Sequence, residues 1–388
     1  MANRPAFISE PLWRKCRLGA DRLKIIKRQV LRLPKSPRLV IEYSAYRQAI
    51  KNRDWVKVLV HVKWITEFAL NTSDRRLISE MASALERLNC YPDTATLHLA
   101  ARQFVRNKPP NEWGGEDLSG KKLLVNLRET KKQGLGFAYR AANLIAKVAK
   151  RARHVSVVVE PRLLQTYRRS FPELEIVDFM DEDKMSWFDF VAAFGNLAGV
   201  FAPKANIPDP DFYPLCPDQA RVAALRTRYE TETAKPLIGL CWYSGHHGKL
   251  LPELFQWRNF IENTDALFVS LQYGDVSEDL KTFGSDRVIS DPSIDQMVDM
   301  DRFAAQVAAL DGIITITATL AHVAGALGVP IVAIRDDWFR REWPVMSDRV
   351  PWYPNLRVVG KDGREWDVVL DETWTTIRGL IADRSERS

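Results

Sequence analysis

The fold class of this 388-residue chain is decided by residues 312–330, Gly-Ile-Ile-Thr-Ile-Thr-Ala-Thr-Leu-Ala-His-Val-Ala-Gly-Ala-Leu-Gly-Val-Pro. The β-branched run at 313–317 predicts a strand, and the small apolar residues at 319–327 predict a helix. Gly328 and Pro330 then mark a turn before a second strand. The stretch predicts a strand–helix–strand unit of a parallel sheet that is buried on both faces.

The same stretch has the length of a membrane-spanning helix, because the 23 residues between Asp311 and Arg335 include no Asp, Glu, Lys or Arg. His322 lies in its middle, however, and the turn Gly328-Val329-Pro330 interrupts it. These features favour a buried α/β unit over a membrane span.

Strand and helix patterns alternate in two series along the chain. The first series, in residues 111–230, has strands predicted at 122–127, 154–159, 175–178 and 190–193. The second series, in residues 231–388, has strands predicted at 237–242, 266–272, 312–317 and 331–334. Such alternation predicts an α/β protein with two Rossmann-like, doubly wound domains. The tail after residue 371 is predicted to be a helix that crosses back to the first domain.

The region before these domains is predicted to be helical. Residues 41–110 have helical apolar spacing, with turn signals at 52–54 and 71–74. Trp55 and Tyr91 lie 36 residues apart, close to the period of a tetratricopeptide repeat. Fewer than three repeats cannot bury a solenoid core, so we expect this region to dock on the domain that follows it.

Residues 1–40 form a basic arm, with eleven Lys and Arg against Glu10 and Asp21, whereas the whole chain carries a net charge of +7. Apolar side chains recur on one helix face between residues 14 and 38, where Pro34 and Pro37 end the segment. Two interpretations stay open: an amphipathic helix on an anionic membrane surface, or a leader helix packed on the next domain. Nucleic-acid binding is not predicted, because no basic sheet with interleaved aromatics accompanies the arm.

The composition is that of a globular protein in a reducing compartment. The chain is 46% apolar and 27% charged, and its four cysteines form no Cys-x-x-Cys pair for zinc or thiol exchange. Glu10 interrupts the stretch in which a signal peptide would need an apolar run. We expect a cytoplasmic protein, with attachment to the inner membrane face through the arm as the alternative.

Two segments at predicted strand ends have chemistry suited to a phosphate group. Residues 243–249, Tyr-Ser-Gly-His-His-Gly-Lys, combine a hydroxyl, glycines and a cation, although an ordinary surface loop has a similar composition. The helix that begins at Thr319 offers N–H donors, and His322 shares the face of Thr319. A core histidine is the alternative for His322. Adjacent His246 and His247 lack the spacing of zinc ligands, so neither a metal nor a cofactor is expected.

Six motifs follow one another over roughly 250 residues. They are Leu118-Ser119-Gly120-Lys121-Lys122-Leu123-Leu124-Val125, Gln133-Gly134-Leu135-Gly136, Ile238-Gly239-Leu240-Cys241-Trp242, Phe268-Val269-Ser270-Leu271-Gln272, Ala321-His322-Val323-Ala324-Gly325-Ala326-Leu327-Gly328 and Pro351-Trp352-Tyr353-Pro354. With these motifs the chain resembles glycosyltransferase family 9, the heptosyltransferase-like GT-B enzymes, especially the bacterial branch with N-terminal tetratricopeptide repeats.

The resemblance implies a GT-B enzyme that binds an acceptor on residues 111–230 and a nucleotide-sugar on residues 231–388. By position in the motifs, it implies that Gly134 and Gly136 line the acceptor side and that Gln272 and Tyr273 contact the nucleoside. Ser244, Gly245 and Lys249 would hold the diphosphate, with Thr319 and His322 beside it, and Thr317 is a further candidate for substrate binding. For Gln272 and Tyr273 an ordinary strand end is the alternative.

The sequence departs from the family pattern at two positions. Phe137 stands where relatives read Asp after Gly-Leu-Gly, so the acid that resembles the acceptor-activating base is absent, and Glu129 becomes the candidate general base. Thr317 stands where many relatives have Asp before the helix.

These observations predict a metal-independent, inverting glycosyltransferase that moves a sugar from a nucleotide-sugar to a saccharide or protein acceptor. The alternative is a catalytically degenerate GT-B protein that acts as a binding module, for which Phe137 is the main indication.

Overall fold

A computed structural model of the chain describes residues 36–88, 94, 97, 109–128, 135–201, 211–230, 235–244, 251–284, 287–337 and 343–386. Four of the predicted site residues, Glu129, Gly134, Gly245 and Lys249, lie outside the described residues, as do arm residues 1–35.

The N-terminal part consists of three described helices, here called the helical layer: α1 Pro37–Lys51, α2 Trp55–Asn71 and α3 Arg75–Arg87. Ser36, Asp54 and Asp74 cap them by accepting backbone N–H bonds, as the predicted turns require. Helix α1 begins inside the predicted arm. Pro37, which was expected to end the arm segment, starts this helix instead, because proline at the first helical position has no N–H group that needs a partner. The relation to tetratricopeptide repeats stays a prediction.

The first sheet of the described chain has the parallel strands β1 Lys122–Asn126, β2 His154–Val158, β3 Glu175–Val177 and β4 Phe190–Ala193. Their order across the sheet is β3-β2-β1-β4. Its described helices are α4 Leu135–Ala149, α5 Leu164–Ser170, α6 Glu182–Met185 and α7 Phe194–Phe201. The next helix, α8 Gln219–Tyr229, packs on the helix at Met300–Ala308.

The second sheet has the parallel strands β5 Leu237–Cys241, β6 Leu267–Ser270, β7 Val288–Ile289, β8 Gly312–Ile316, β9 Ile331–Arg335 and β10 Leu356–Gly360. Their order is β10-β9-β8-β5-β6-β7 within the described residues. The helices of this part are α9 Leu254–Asn263, α10 Ser277–Phe283, α11 Met300–Ala308, α12 Thr319–Ala326 and α13 Trp366–Ser385. The strand–helix–strand prediction for residues 312–330 is confirmed by β8, α12 and β9.

Helices from the two sheets share one hydrophobic core. Helix α4 packs against α12, and buried small residues of both helices, such as Ala138 and Ala324, belong to this core. A second contact joins α11 to α5, where the buried Asp301 carboxylate accepts bonds from Thr166 Oγ1 (2.8 Å) and Arg169 Nη1 (2.9 Å). The two sheets are therefore held together by both apolar packing and a charged cluster.

The helical layer docks on the part of the chain that follows it, as the sequence predicted, and it also contacts segments next to the second sheet. Glu86 pairs with Arg140 of α4, and Arg53 pairs with Asp337, which follows β9, at 3.0 Å. In addition, the Val345 N–H donates to the Arg87 carbonyl at 2.9 Å. The layer thus makes polar contacts with helix α4 of the first sheet and with residues 337 and 345, which follow β9 of the second.

The predicted course of the tail is wrong. Helix α13 begins at Trp366 and packs on β8, β9 and β10 of the second sheet instead of crossing to the first. Its Ile377 is fully buried, and a Cβ atom at Gly312 would lie 3.0 Å from the Cδ1 atom of Ile377. The apolar face of α13 therefore completes the core of its own sheet.

Candidate functional site

The order of the second sheet puts a topological switch point between β5 and β8. Strand β5 is followed along the sheet by β6, whereas β8 is followed in the opposite direction by β9. Cys241 of β5 pairs with Thr315 of β8, so the loop that contains Ser244 and the segment that contains Thr317 leave the sheet side by side. Ligands of open α/β sheets bind at such a point.

Helix α12 begins at this switch point. Its N-cap residue, Ala318, makes no side-chain capping bond, and Thr319 is exposed in the first turn. Backbone N–H groups at a helix start carry partial positive charge and favour an anion. Thr317, by contrast, is buried, and its N–H donates to the Ile334 carbonyl of β9 at 3.1 Å.

His322 of α12 lies directly against Gly136 of α4. A Cβ atom built on Gly136 would lie 2.7 Å from His322 Cδ2 and 3.2 Å from Nε2, which is closer than atoms pack. Two candidates separated widely in the sequence are therefore neighbours. Because α4 follows β1 of the first sheet and α12 follows β8 of the second, this contact brings the carboxyl edges of both sheets together.

Two aromatic side chains that sequence reasoning did not assign to the site enclose the His322 ring. Tyr353 Oη lies 3.3 Å from His322 Nδ1, and the Trp343 ring centroid lies 5.3 Å from that of the imidazole. Only 7% of His322 is exposed. Tyr353 belongs to one of the quoted motifs, whereas no pattern in the sequence indicated Trp343.

Gly325 of α12 permits the close approach of an aromatic side chain. A Cβ atom on Gly325 would lie 2.6 Å from the Tyr353 ring. Gly325 is therefore required by the tyrosine that contacts His322.

Phe137, at the position of the absent acid, belongs to an aromatic cluster. Its ring centroid lies 5.2 Å from that of Phe194, in an edge-to-face arrangement. The Arg140 guanidinium carbon lies 5.1 Å from the Phe194 centroid and 4.5 Å from that of Trp352. The side chain at 137 thus packs against its neighbours, and a phenyl ring cannot accept a proton.

The Gln272 amide holds the start of the 243–249 loop. Its Oε1 accepts the N–H groups of Trp242 (3.1 Å) and Tyr243 (2.9 Å), and its Nε2 donates to the Tyr243 carbonyl (3.1 Å). These bonds make Gln272 a positioning residue for the loop that leads to Ser244. Its assignment to the nucleoside stays a prediction.

A cleft of about 490 Å³ opens beside Gln272 and Tyr273, at the ends of β6 and β7. Its volume lies in the range of small-molecule sites. Asp275, Asp291 and Asp295 are among its lining residues, and no Lys or Arg is among the described ones. Burial opposes ionisation of Asp291, but hydrogen bonds from Ser293 and Tyr229 outweigh it and lower the pKa of this carboxyl group. Arg228, outside the lining, pairs with Asp291 at 2.9 Å and balances its charge, so Asp275 and Asp295 make the cleft acidic. Such a cleft suits an uncharged part of a ligand that donates hydrogen bonds.

No group of three or more His, Cys, Asp or Glu among the described residues has the arrangement of a metal site. No helix among those residues has the length and apolar character needed to cross a membrane.

Comparison with known proteins gives similarities of limited extent. No protein-family model matches the chain. Over 302 residues the chain is 29% identical to protein FlbA of Caulobacter vibrioides, an alignment that takes in 71% of this chain and 49% of FlbA. The chain thus spans about half the length of that curated relative.

Among solved structures, the chain is similar to a family 9 glycosyl transferase from Veillonella parvula, with 12% identity and a TM-score of 0.48. The similarity covers 69% of this chain and 99% of the other. For the E. coli ADP-heptose LPS heptosyltransferase II the identity is also 12% and the TM-score 0.48, with 68% and 99% covered. An O-GlcNAc transferase of Thermobaculum terrenum is 13% identical, with a TM-score of 0.37 and 89% and 79% covered. None of these similarities assigns the chain to a family, so its function is inferred from the site itself.

Proposed function

We propose that this protein is a GT-B glycosyltransferase that moves a sugar from a nucleotide-sugar donor to a saccharide or protein acceptor. The contact between His322 and Gly136 carries the proposal. Transfer between two bound substrates needs both to be held in one cleft, and this contact joins the carboxyl edges of the two parallel sheets. The motif order that resembles family 9 supports the same conclusion.

The charge distribution supports one orientation of the donor. The acid-lined cleft beside Tyr273 disfavours phosphate, so it would receive the uncharged nucleoside. The diphosphate would lie at the start of α12, next to Thr319, with Ser244, Gly245 and Lys249 supplying a hydroxyl, N–H groups and a positive charge. An uncharged group in the acidic cleft and an anion at the start of α12 fit a nucleotide-sugar that extends along the carboxyl edge of the sheet from β6 to β8.

The proposed reaction is a single displacement. An acceptor hydroxyl oxygen attacks the anomeric carbon while the bond from that carbon to the diphosphate oxygen breaks, which inverts the configuration. Glu129 takes the hydroxyl proton, and the acceptor would bind beside Gly134. Negative charge on the departing diphosphate is stabilised by Lys249, Thr319 and the N–H groups of α12, so the mechanism as proposed requires no metal.

The packing of Phe137 favours a second candidate, a binding protein that has lost transfer activity. Its ring fills a site among Phe194 and Arg140, so the position normally held by the acid has been adapted to packing. Such a protein would bind a nucleotide-sugar or a partner of the helical layer without turnover.

Calorimetric titration of the full chain with UDP-, GDP-, ADP- and CMP-sugars tests the donor site. We expect one nucleotide class to bind, and Lys249→Ala to weaken it by about tenfold, or ~1.4 kcal/mol. Lys281→Ala is the matched control, because Lys281 is exposed on α10 and pairs with Glu278. Absence of binding across the whole panel would contradict the proposed function.

Turnover with the bound donor then separates the two candidates. Glu129→Gln keeps the size of the side chain and removes its basicity, so it should abolish transfer while donor binding persists. Glu262→Gln, on the exposed surface of α9, is the control. Donor binding without turnover by the unmodified protein, across saccharide and protein acceptors, would favour the binding protein.

A further inference from the structure

A buried guanidinium lies at the junction of the helical layer and both sheets. Arg140 of α4 is 2% exposed, and its Nη2 pairs with Glu86 of the helical layer. On its other side, its Cζ lies 4.5 Å from the ring centroid of Trp352, within the distance at which a cation attracts a ring face. Arg140 therefore connects the helical layer to the segment that precedes β10.

That segment, residues 343–353, carries both aromatic partners of His322. Trp343 lies at one end of it and Tyr353 at the other, directly after Trp352. The Tyr353 ring is also confined by α12, since a Cβ atom on Gly325 would lie 2.6 Å from it. The location of the 343–353 segment therefore determines the surroundings of the imidazole.

The helical layer holds the same segment at a second point. Val345 packs against the hydrophobic core of the layer, and its N–H donates to the Arg87 carbonyl at 2.9 Å. Arg87 directly follows Glu86, the partner of Arg140. The two attachments, one through Arg140 and Trp352 and one through Val345, thus begin at adjacent residues of α3.

We infer that Arg140, paired with Glu86, is a positioning residue that fixes the 343–353 segment and thereby the His322 ring. The helical layer then takes part in forming the donor site, in addition to any partner it binds. The consequence for catalysis rests on the proposed function, but the effect on His322 does not. Loss of Glu86 or of the planar guanidinium would leave Trp352 and Tyr353 without this support.

Histidine ring NMR of the full chain, labelled at Cε1, measures the effect directly. The chain has six histidines, and His322→Asn identifies the signal of interest. In Arg140→Met and in Glu86→Gln we expect the His322 signal to move while those of the other five stay in place. Arg140→Lys keeps the charge but loses the planar contact with Trp352, so it should give a smaller shift. Arg258→Met, which breaks an exposed pair with Glu262 on α9, is the control.

An Arg140 that only stabilises the fold would lower the melting temperature and leave the His322 signal in place. That result, in a folded Arg140→Met protein, would overturn the inference. If Arg140→Met does not fold, Glu86→Gln and Val345→Ala provide the same test, since each disturbs one attachment of the segment. Failure of both to move the His322 signal would equally overturn it.

Donor binding adds a separate readout. For the nucleotide-sugar identified by the panel, Arg140→Met should weaken binding by about tenfold, and Arg258→Met should leave it unchanged. If the unmodified protein binds no nucleotide-sugar, the proposed function fails, whereas the His322 signals still decide whether Arg140 positions the ring.

Discussion

Replacing Gly136 by alanine tests the contact between α4 and α12 that carries the proposed function. The new methyl group would lie 2.7 Å from His322 Cδ2, and Trp343 and Tyr353 leave the ring little room to move away. Overpacking of this kind costs about 1–3 kcal/mol, and the better helix propensity of alanine returns up to about 1 kcal/mol. We therefore expect the free energy of unfolding to fall by a net ~1–2 kcal/mol.

Urea unfolding, followed by tryptophan fluorescence and by circular dichroism, measures this loss where the two probes coincide. Gly379→Ala is the matched control, because no atom lies within 4 Å of a Cβ built at that position of α13. That control should stabilise the protein by about 0.5–1 kcal/mol. The two Gly→Ala substitutions are thus predicted to have opposite signs.

A double-mutant cycle with His322→Ala assigns the cost to the ring. In the His322→Ala background the new methyl group has space, so Gly136→Ala should cost at least ~1 kcal/mol less than in the unmodified protein. An equal cost in both backgrounds, or no cost in either, would refute the reasoning and separate Gly136 from the candidate site.

Three further predictions concern other parts of the molecule. Burial opposes ionisation of Asp301, but hydrogen bonds from Arg169 and Thr166 outweigh burial and hold the pKa of Asp301 in the folded protein below its unfolded value. The Asp301 carboxylate therefore stabilises the protein above about pH 4, and this stabilisation is lost as the pH falls below that. Asp301→Asn should therefore lose about 2 kcal/mol at pH 7, with a shallower decline in stability below pH 4, as measured by urea unfolding across pH. Gln272→Leu leaves the N–H groups of Trp242 and Tyr243 without their acceptor and should cost at least ~2 kcal/mol by the same method. Deletion of residues 1–35 should abolish binding to vesicles of anionic lipid in a sedimentation assay, since basic residues near such a surface contribute ~1 kcal/mol each.

Each of these predictions has a contrary outcome. An Asp301→Asn protein with unchanged stability at pH 7 would contradict the role of the charged cluster between α5 and α11. Unchanged stability of Gln272→Leu would show that the bonds from Trp242 and Tyr243 to this side chain do not matter. Vesicle binding that survives the deletion, or that is absent from the full chain, would favour the arm as a leader helix packed on the protein.

The sequence predicted the strands well where the local chemistry is unambiguous. The β-branched run of β8 and the turn at Gly328 leave one interpretation, and the Asp54 and Asp74 caps mark two helix starts. Strand β10 was missed because Pro351 and Pro354 precede it closely, and α7 because it follows β4 without a turn residue. Short elements of this kind are specified by packing more than by local pattern.

The candidate site was predictable residue by residue but not as an arrangement. His322 and Gly136 were both identified, yet nothing local indicates that one packs on the other, because this depends on how α4 meets α12. The same applies to Gln272, whose amide is used by the backbone of Tyr243. The tail was predicted to be helical but not where it packs, since helical spacing in α13 indicates an apolar face without indicating which sheet that face covers.

The location of α13 has a consequence for synthesis of the protein. Strands β8, β9 and β10 leave the ribosome before this 20-residue helix does, and at ~5–20 residues per second its own synthesis takes about 1–4 s. During that interval the surface of the second sheet that will contact α13 faces water. Premature termination or a frameshift within α13 is therefore expected to produce an aggregating chain, although every candidate site residue would already have been made.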